Sequence, residues 1–183
     1  MARTYRQTRR ATQVEKTRRR IVEATLSLHA EVGPAATTIA AIAERAGVSR
    51  PTVYAQFPDD LALFTACGAL FRELHPFPTV GGAPLDEALV LLYGYYSENR
   101  SVLAHVDRDA RALPPLAESR RPLAEYLDSV ADHYAAHLGA ASLPVVRLAL
   151  EFTTWQRLDA SGLGTAQAAS LMARVAVCAS SSA

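Results

Sequence analysis

The chain has 183 residues and a mass of 19.7 kDa, which is enough for one large domain or two small ones with a sizeable core. Its residues are 50% hydrophobic and 20% charged, with a formal net charge of +1, so the composition excludes an acidic disordered chain. Two cysteines are too few for a disulfide framework or a four-thiolate zinc site. The sequence contains no long apolar run, and we therefore expect a cytoplasmic protein without a membrane span.

The charge is distributed unevenly along the chain. Residues 1–20 contain eight Lys or Arg and one Glu, whereas residues 59–183 carry a net charge of −5. A basic segment can neutralise DNA phosphates and release their counterions, whatever the base sequence. Basic segments also bind RNA and membranes, and many are simply solvated. We expect residues 1–12 to form a flexible basic arm, but this charge alone does not identify its partner.

After residue 13 the sequence predicts an all-α protein, because Ala is frequent and apolar residues recur at intervals of three and four. The first helix is predicted over about residues 13–32 and ends at Gly33, which can adopt the left-handed conformation. A second helix is predicted over residues 39–46. Thr38 is its expected N-cap.

A third, short helix is predicted over residues 50–56, with Ser49 as its N-cap and Pro51 in its first turn. Asp59 is predicted to cap a fourth helix, which links this region to the rest of the chain. A stretch rich in Pro and Gly over residues 75–84 marks a boundary. Further helices are predicted over residues 85–100, 101–113, 115–138, 143–160 and 165–178.

Residues 38–57 have the layout of a helix-turn-helix. This motif needs small residues where the helices cross, a glycine in the turn, an apolar plug and a polar cap on the second helix. In that order, these requirements are met by Ala43 and Ala46, Gly47, Val48 and Ser49. The second helix would present Arg50, Thr52 and Tyr54 to the major groove of DNA. The alternative is a hairpin that merely packs, but packing does not explain Arg50 and Thr52, and the basic segment lies directly upstream.

This segment resembles the tetracycline-repressor-type (TetR) family of transcriptional regulators over about residues 13–64. The matching positions are Ile21, Ala24, Leu28, Gly33, Thr38, Ile42, Ala43, Ala46, Gly47, Val48, Ser49, Thr52, Tyr54, Phe57 and Leu61. The resemblance implies a three-helix head that binds DNA, a linking helix, and a helical body that binds an inducer and dimerises. Two departures stand out: Asp59 and Asp60 replace a common lysine, and His29 replaces an apolar aromatic residue.

The resemblance also implies which residues contact DNA. Phosphate contacts are implied at Thr38, Ser49 and Tyr54, and base or backbone contacts at Arg50 and Thr52. The full predicted DNA-binding set is Thr38, Ser49, Arg50, Pro51, Thr52 and Tyr54, with Arg9, Arg10 and Arg18 from the basic arm. Two heads in a homodimer would read a near-palindromic double-stranded operator with half-sites roughly 34 Å apart.

The predicted body has features of a dimer face and of a ligand pocket. The last two predicted helices carry apolar stripes, one of Leu148, Phe152, Trp155 and Leu158, the other of Ala168, Leu171, Met172, Val175 and Ala176. The resemblance implies that these helices pair with their copies; burial within one subunit is the alternative. Rings with polar tips suit a pocket for an apolar inducer, although such rings are more often core. The candidate ligand-binding residues are Tyr93, Tyr96, His105, Tyr126, His133, Phe152 and Trp155.

A competing interpretation concerns His133 and His137, which are spaced i, i+4 as in some metal sites. No third ligand is visible nearby, and the chain lacks a nucleophile motif, a phosphate loop and paired carboxylates. We expect no cofactor, no bound metal and no enzyme activity. The alternative function is a small helical metal-binding or catalytic domain centred on this pair.

The leading hypothesis is a ligand-responsive, sequence-specific transcriptional regulator, most simply a repressor released from its operator by a small-molecule inducer. Its predicted organisation is a basic arm over residues 1–12, a DNA-binding domain over 13–58, a linking helix over 59–74, and a ligand-binding and dimerisation domain over 75–183.

Overall fold

The structure, a computed structural model, describes the backbone of residues 2–80 and 82–181 and the side chains within residues 11–80 and 82–180. This part of the chain contains eleven α-helices, one short 3-10 helix over Ala140–Ser142, and no β-strand. The α-helices are α1 Ala2–Glu31, α2 Ile39–Ala46, α3 Arg50–Gln56, α4 Asp60–Leu74, α5 Leu85–Glu98, α6 Arg100–Ala110, α7 Pro114–Ser119, α8 Arg121–Leu138, α9 Leu143–Leu150, α10 Phe152–Ala160 and α11 Thr165–Ser181. The all-α prediction is confirmed. No described helix combines the length and apolarity needed to span a bilayer.

The helices group into two compact units. The first unit comprises the residues up to Pro76 together with Ala104–Arg120, and the second comprises Phe77–Leu103 together with the residues from Arg121 onward. Chain order alone does not predict that Ala104–Arg120 groups with the N-terminal helices.

The core of the first unit lies between α1, α2, α3 and α4. Ile21 of α1 and Val53 of α3 are completely buried, and Ile42 of α2 is nearly so. Each of these helices buries one apolar face because its apolar residues recur at helical spacing. The remaining members of the cluster are Val22, Ala24, Leu28, Ala43, Ala46, Phe57, Leu63, Cys67 and Leu70.

The first helix is longer than predicted, because α1 begins at Ala2 rather than near residue 13. The sequence from residue 2 to residue 31 contains neither Gly nor Pro, the two residues that most strongly disfavour a helix interior. Arg18 therefore lies inside a helix and not in a flexible arm. The side chains of Arg9 and Arg10 lie outside the described residues.

The helix predicted over residues 115–138 is divided into α7 and α8, with Arg120 between them. Pro122 stands in the first turn of α8. Proline lacks an N–H and restricts the residue before it, so a helix entering this position from the N-terminal side is interrupted.

The helix predicted over residues 143–160 is also divided. Glu151 has an extended backbone, with φ −70° and ψ 136°, and separates α9 from α10. The break leaves carbonyl groups at the end of α9 without donors in their own helix. The hydroxyl groups of Tyr93 and Tyr96 on α5 supply donors, to Ala149 O at 2.8 Å and Leu150 O at 2.6 Å.

This break corrects the prediction of one continuous apolar stripe on the penultimate helix. Phe152 and Trp155 are buried within the second unit, whereas Leu148, on the other side of the break, is 49% exposed. On α11 the alanines and Met172 of the predicted stripe are buried as well, and Val175 is exposed. Much of both stripes therefore packs inside the subunit.

Candidate nucleic-acid interface

The interface begins with the way α2 starts and stops. The Thr38 side-chain oxygen accepts the Ala41 N–H at 3.1 Å, which caps the helix. Gly47 ends α2 with φ 62° and ψ 42°, a left-handed conformation that glycine adopts without a steric penalty. The Val48 N–H then donates to Ala43 O at 2.9 Å and closes the turn. The predicted cap and helix end are both confirmed.

α3 starts directly after this turn. The Ser49 side-chain oxygen accepts the Thr52 N–H at 3.3 Å and lies 2.8 Å from the Thr52 hydroxyl oxygen. Pro51 occupies the first turn, where its missing N–H leaves no intrahelical bond unmade. The start of α3 is thus fixed by local contacts, and its predicted bounds are confirmed.

The two sides of α3 differ in exposure. Val53 is completely buried and anchors the inner side. Arg50 and Pro51 are exposed, Thr52 is half-buried, and Tyr54 is 57% exposed. We call these four outward residues the recognition face. A tyrosine and an arginine at the surface of a seven-residue helix offer one ring, one guanidinium and several hydrogen-bond donors to a ligand outside the molecule.

The two aspartates after α3 act on the next helix. The Asp59 carboxylate accepts the Ala62 N–H at 2.7 Å and caps α4, where it also complements the positive end of the helix dipole. Asp60 lies in the first turn of α4 and is exposed. At least one of the carboxylates that replace the expected lysine therefore has a structural role.

Residues 21–67 match the family model of bacterial regulatory proteins, tetR family. The match includes the buried part of α1, the whole helix-turn-helix and the first half of α4. The N-terminal module belongs to the tetR family. No significant match to the chain was found among curated proteins. This match supports a DNA-binding transcriptional regulator.

Arg18 and Arg19 of α1 contact protein groups. The Arg18 guanidinium lies 4.1 Å from the centre of the Phe57 ring, and its Nη1 donates to Gln56 O at 2.7 Å. Arg19 pairs with Glu23 and Glu73 at 2.9 Å and 3.5 Å. Sequence reasoning assigned Arg18 to DNA and did not find these partners, because they depend on how α1 packs.

The unusual His29 of this tetR-family module is a core residue. Its side chain is 4% exposed, its ring centre lies 5.6 Å from that of Phe64, and its Nε2 has no hydrogen-bond partner among the described residues. Burial lowers the pKa of His29 from 6.5 to about 4, and the Asp109 carboxylate opposes this effect only in part. The imidazole is therefore neutral near pH 7.

The predicted ligand-binding rings are distributed over several environments. Tyr93, Tyr96, Phe152 and Trp155 form a buried ring cluster, with centres 5.4–6.4 Å apart for the contacting pairs. Tyr126 donates to Pro78 O at 2.9 Å. His105 belongs to the first unit, where its Nδ1 lies 3.0 Å from His29 O. His133 is exposed and lines a groove.

This groove, of about 750 Å³, lies in the second unit between the ends of α5, α8 and α11. Its lining includes Leu85, Asp86, His133, Tyr134, His137, Ala173, Arg174 and Val177. The Tyr134 hydroxyl oxygen lies 2.9 Å from Val80 O and 2.8 Å from Ala83 O, so it ties the loop before α5 to α8. The groove therefore combines apolar walls with a guanidinium, a carboxylate and two imidazoles.

The histidine pair of the alternative hypothesis lies at this groove. The ring centres of His133 and His137 are 4.6 Å apart, and His137 Nδ1 lies 2.7 Å from His133 O. Within the described residues, no group of three or more His, Cys, Asp or Glu side chains could hold a metal ion. The pair therefore has no third protein ligand among them.

Proposed function

We propose that this tetR-family regulator is a ligand-responsive repressor that binds a near-palindromic operator as a homodimer. The exposed recognition face of α3 carries this proposal. Its helix is capped at the start and anchored by a buried valine, so its outward side chains have a defined direction. A short helix held in this way suits insertion into the major groove of DNA.

Each side chain of the recognition face has a distinct chemical role in the proposal. The Arg50 guanidinium matches the two acceptors of a guanine edge, and the Thr52 methyl group suits a thymine methyl. The Tyr54 hydroxyl donates to a phosphate oxygen and fixes the register of the helix on the duplex. Thr38 and Ser49 lie at the adjoining helix starts, and the proposal gives their hydroxyl groups further phosphate contacts.

The homodimer is supported by exposed apolar residues on the last helices. Leu148 of α9 is 49% exposed, and Val175 and Val177 of α11 are 43% and 47% exposed. α9 and α11 contact each other, and apolar side chains on two contacting helices suit the core of a subunit interface. The substitution Leu148→Glu should convert the dimer to a monomer in analytical ultracentrifugation, while Arg157→Glu on α10 should not. A mass that never exceeds one subunit, or an L148E protein that stays dimeric, contradicts this proposal.

The groove of the second unit is the proposed effector site. Its apolar walls suit the body of an amphipathic small molecule, and the Arg174 guanidinium suits a carboxylate or another acceptor group. An effector releases the operator only if it binds the two conformations of the protein with different affinities. We therefore expect Arg174→Gln to weaken the response to effector while operator affinity in its absence is unchanged.

The DNA-binding proposal is tested with a duplex that the purified full chain selects from a random library. Fluorescence anisotropy then compares wild type with Arg50→Ala and with Arg157→Ala, which removes the same charge from the second unit. Arg50→Ala should cost ~1–3 kcal/mol and relax the preference at one base pair, and Arg157→Ala should change neither. Equal losses for both variants, or failure to select any sequence, would refute the assigned role of α3.

The effector site is tested by thermal unfolding of the full chain with a panel of amphipathic carboxylic acids. A compound that raises the midpoint and releases the selected duplex should do neither with Arg174→Gln. Release that is identical in wild type and in this variant places the effector elsewhere.

A further inference from the structure

Two arginines of α1 contact the ends of the two helices in the helix-turn-helix. Arg18 Nη1 donates to the carbonyl of Gln56, the last residue of α3, at 2.7 Å. Arg20 Nη2 donates to the carbonyl of Ala46, the last residue of α2, and lies 3.4 Å from Gly47 O. One guanidinium therefore contacts the chain just before α3, and the other contacts it where α3 ends.

Helix ends provide a physical reason for these contacts. The last four carbonyl groups of a helix have no donor within the helix, and its C-terminal end carries partial negative charge. A guanidinium supplies both donors and positive charge. Arg18 also lies 4.1 Å from the centre of the Phe57 ring, which is itself 3% exposed. Its orientation is thus fixed by a hydrogen bond and by stacking on a core side chain.

The Arg20 contact is coupled to the glycine of the turn. A Cβ atom built on Gly47 would lie 2.8 Å from Arg20 Nη2, closer than real Cβ contacts. The position needs glycine for its left-handed backbone, and a larger residue there would also have to displace the end of the Arg20 side chain. α3 begins at Arg50, a few residues after this contact, so the turn and the helix start are held relative to α1.

We infer that Arg18 and Arg20 are positioning residues for DNA recognition: Arg18 holds the end of α3, Arg20 holds the turn before it, and together they fix the direction of the recognition face. This inference rests on the proposed reading of DNA by α3. In this role the two arginines orient α3, whereas residues of a basic arm neutralise phosphates on any sequence. Arg19, which lies between them, pairs with Glu23 and Glu73 and contacts neither helix end.

A positioning role and a phosphate contact give different binding profiles. Loss of a phosphate contact weakens binding to all sequences and lowers the salt slope by about 0.9. If α3 loses its orientation, its contacts with base edges weaken. Only the selected sequence makes those contacts, so only its affinity falls. The diagnostic quantities are therefore the ratio of specific to non-specific affinity and the salt slope.

The experiment compares Arg18→Gln and Arg20→Gln with Arg19→Gln, which makes the same charge change at a neighbouring position. Anisotropy titrations of the full chain use the library-selected duplex and a shuffled duplex of equal length, at several salt concentrations. Arg18→Gln and Arg20→Gln should each lower affinity for the selected duplex about tenfold and leave the shuffled duplex and the salt slope unchanged. Arg19→Gln should leave the specificity ratio unchanged.

Three outcomes overturn the inference. One is an equal loss on both duplexes with a smaller slope, which makes these arginines phosphate contacts. Another is a specificity ratio in Arg18→Gln and Arg20→Gln equal to that of wild type, when wild type itself prefers the selected duplex. The third is the same loss of specificity in Arg19→Gln. A wild type that shows no preference between the duplexes overturns the proposed function itself, which is a distinguishable result.

Folding is monitored in each variant by circular dichroism. If Arg18→Gln fails to fold, Arg18→Lys provides the decision, since it keeps the charge but loses the planar group that stacks on Phe57. The lysine variant should retain the affinity of wild type for the shuffled duplex and lose part of its specificity. Wild-type affinity for both duplexes in Arg18→Lys overturns the positioning role.

Discussion

The buried imidazole of His29 makes the stability of the first unit depend on pH. Burial holds the pKa of His29 at about 4 in the folded protein, against 6.5 in an accessible chain. Between these values the unfolded state binds a proton that the folded state does not. The free energy of unfolding therefore begins to fall as the pH drops below 6.5, and the loss is complete below about pH 4.

The size of this effect follows from the difference between the two pKa values. Each tenfold difference in proton affinity is worth ~1.4 kcal/mol. The free energy of unfolding therefore falls by about 3 kcal/mol as His29 becomes fully protonated in the unfolded state. The Asp109 carboxylate favours protonation of the His29 ring, and His105 Nδ1 lies 3.0 Å from the backbone carbonyl oxygen of His29. Both remain in a His29 variant, so a difference between proteins isolates the imidazole.

The assay is urea unfolding of wild type and His29→Phe at a series of values from about pH 7 to about pH 4. The stability difference between them should shift by about 3 kcal/mol in favour of the variant as the pH falls. His75→Phe, at an exposed histidine of the same unit, should follow the wild-type profile. Parallel profiles for wild type and His29→Phe would refute the reasoning, because they would mean that the imidazole titrates alike in both states.

Two further predictions rest on local geometry and a third on the charge of the N-terminal segment. Gly33→Ala should destabilise the protein by more than Gly162→Ala in thermal unfolding. Both glycines have positive φ, at 90° and 88°, which strains any other residue. Only at Gly33 would a Cβ also meet side chains of α6. Equal effects contradict this. Tyr96→Phe leaves a buried carbonyl at the end of α9 without its donor and should cost ~1–3 kcal/mol in urea unfolding; an unchanged midpoint contradicts it. Deletion of residues 1–12 should flatten the salt dependence of DNA binding in anisotropy, and an unaltered slope assigns the electrostatic contact elsewhere.

The helix-turn-helix could be predicted from the sequence because its signals are local. Thr38 and Ser49 cap helices by bonding backbone groups three residues away, and Gly47 stops α2 through its own backbone conformation. Such contacts need no distant partner. The bounds of α2 and α3 therefore follow from the order of the residues alone.

Other features depend on residues far apart in the chain and could not be predicted in this way. At the break at Glu151, the carbonyl groups that end α9 accept hydrogen bonds from two tyrosine hydroxyls of α5, more than fifty residues earlier. Arg18 reaches a carbonyl 38 residues away. A count of charges correctly marks the N-terminal segment as basic, but it cannot distinguish an arginine that caps a helix from one that faces solvent.

The most direct test of the account is cross-linking from the recognition face to DNA. A photoreactive phenylalanine derivative is placed at Tyr54, which is 57% exposed, and separately at Leu74 of α4, which is 54% exposed. The first protein should cross-link the library-selected duplex and lose the product when unlabelled duplex of the same sequence competes; the second should give no product. Equal cross-linking from both positions, or none from position 54 with a duplex that binds, would contradict the claim that α3 lies against DNA.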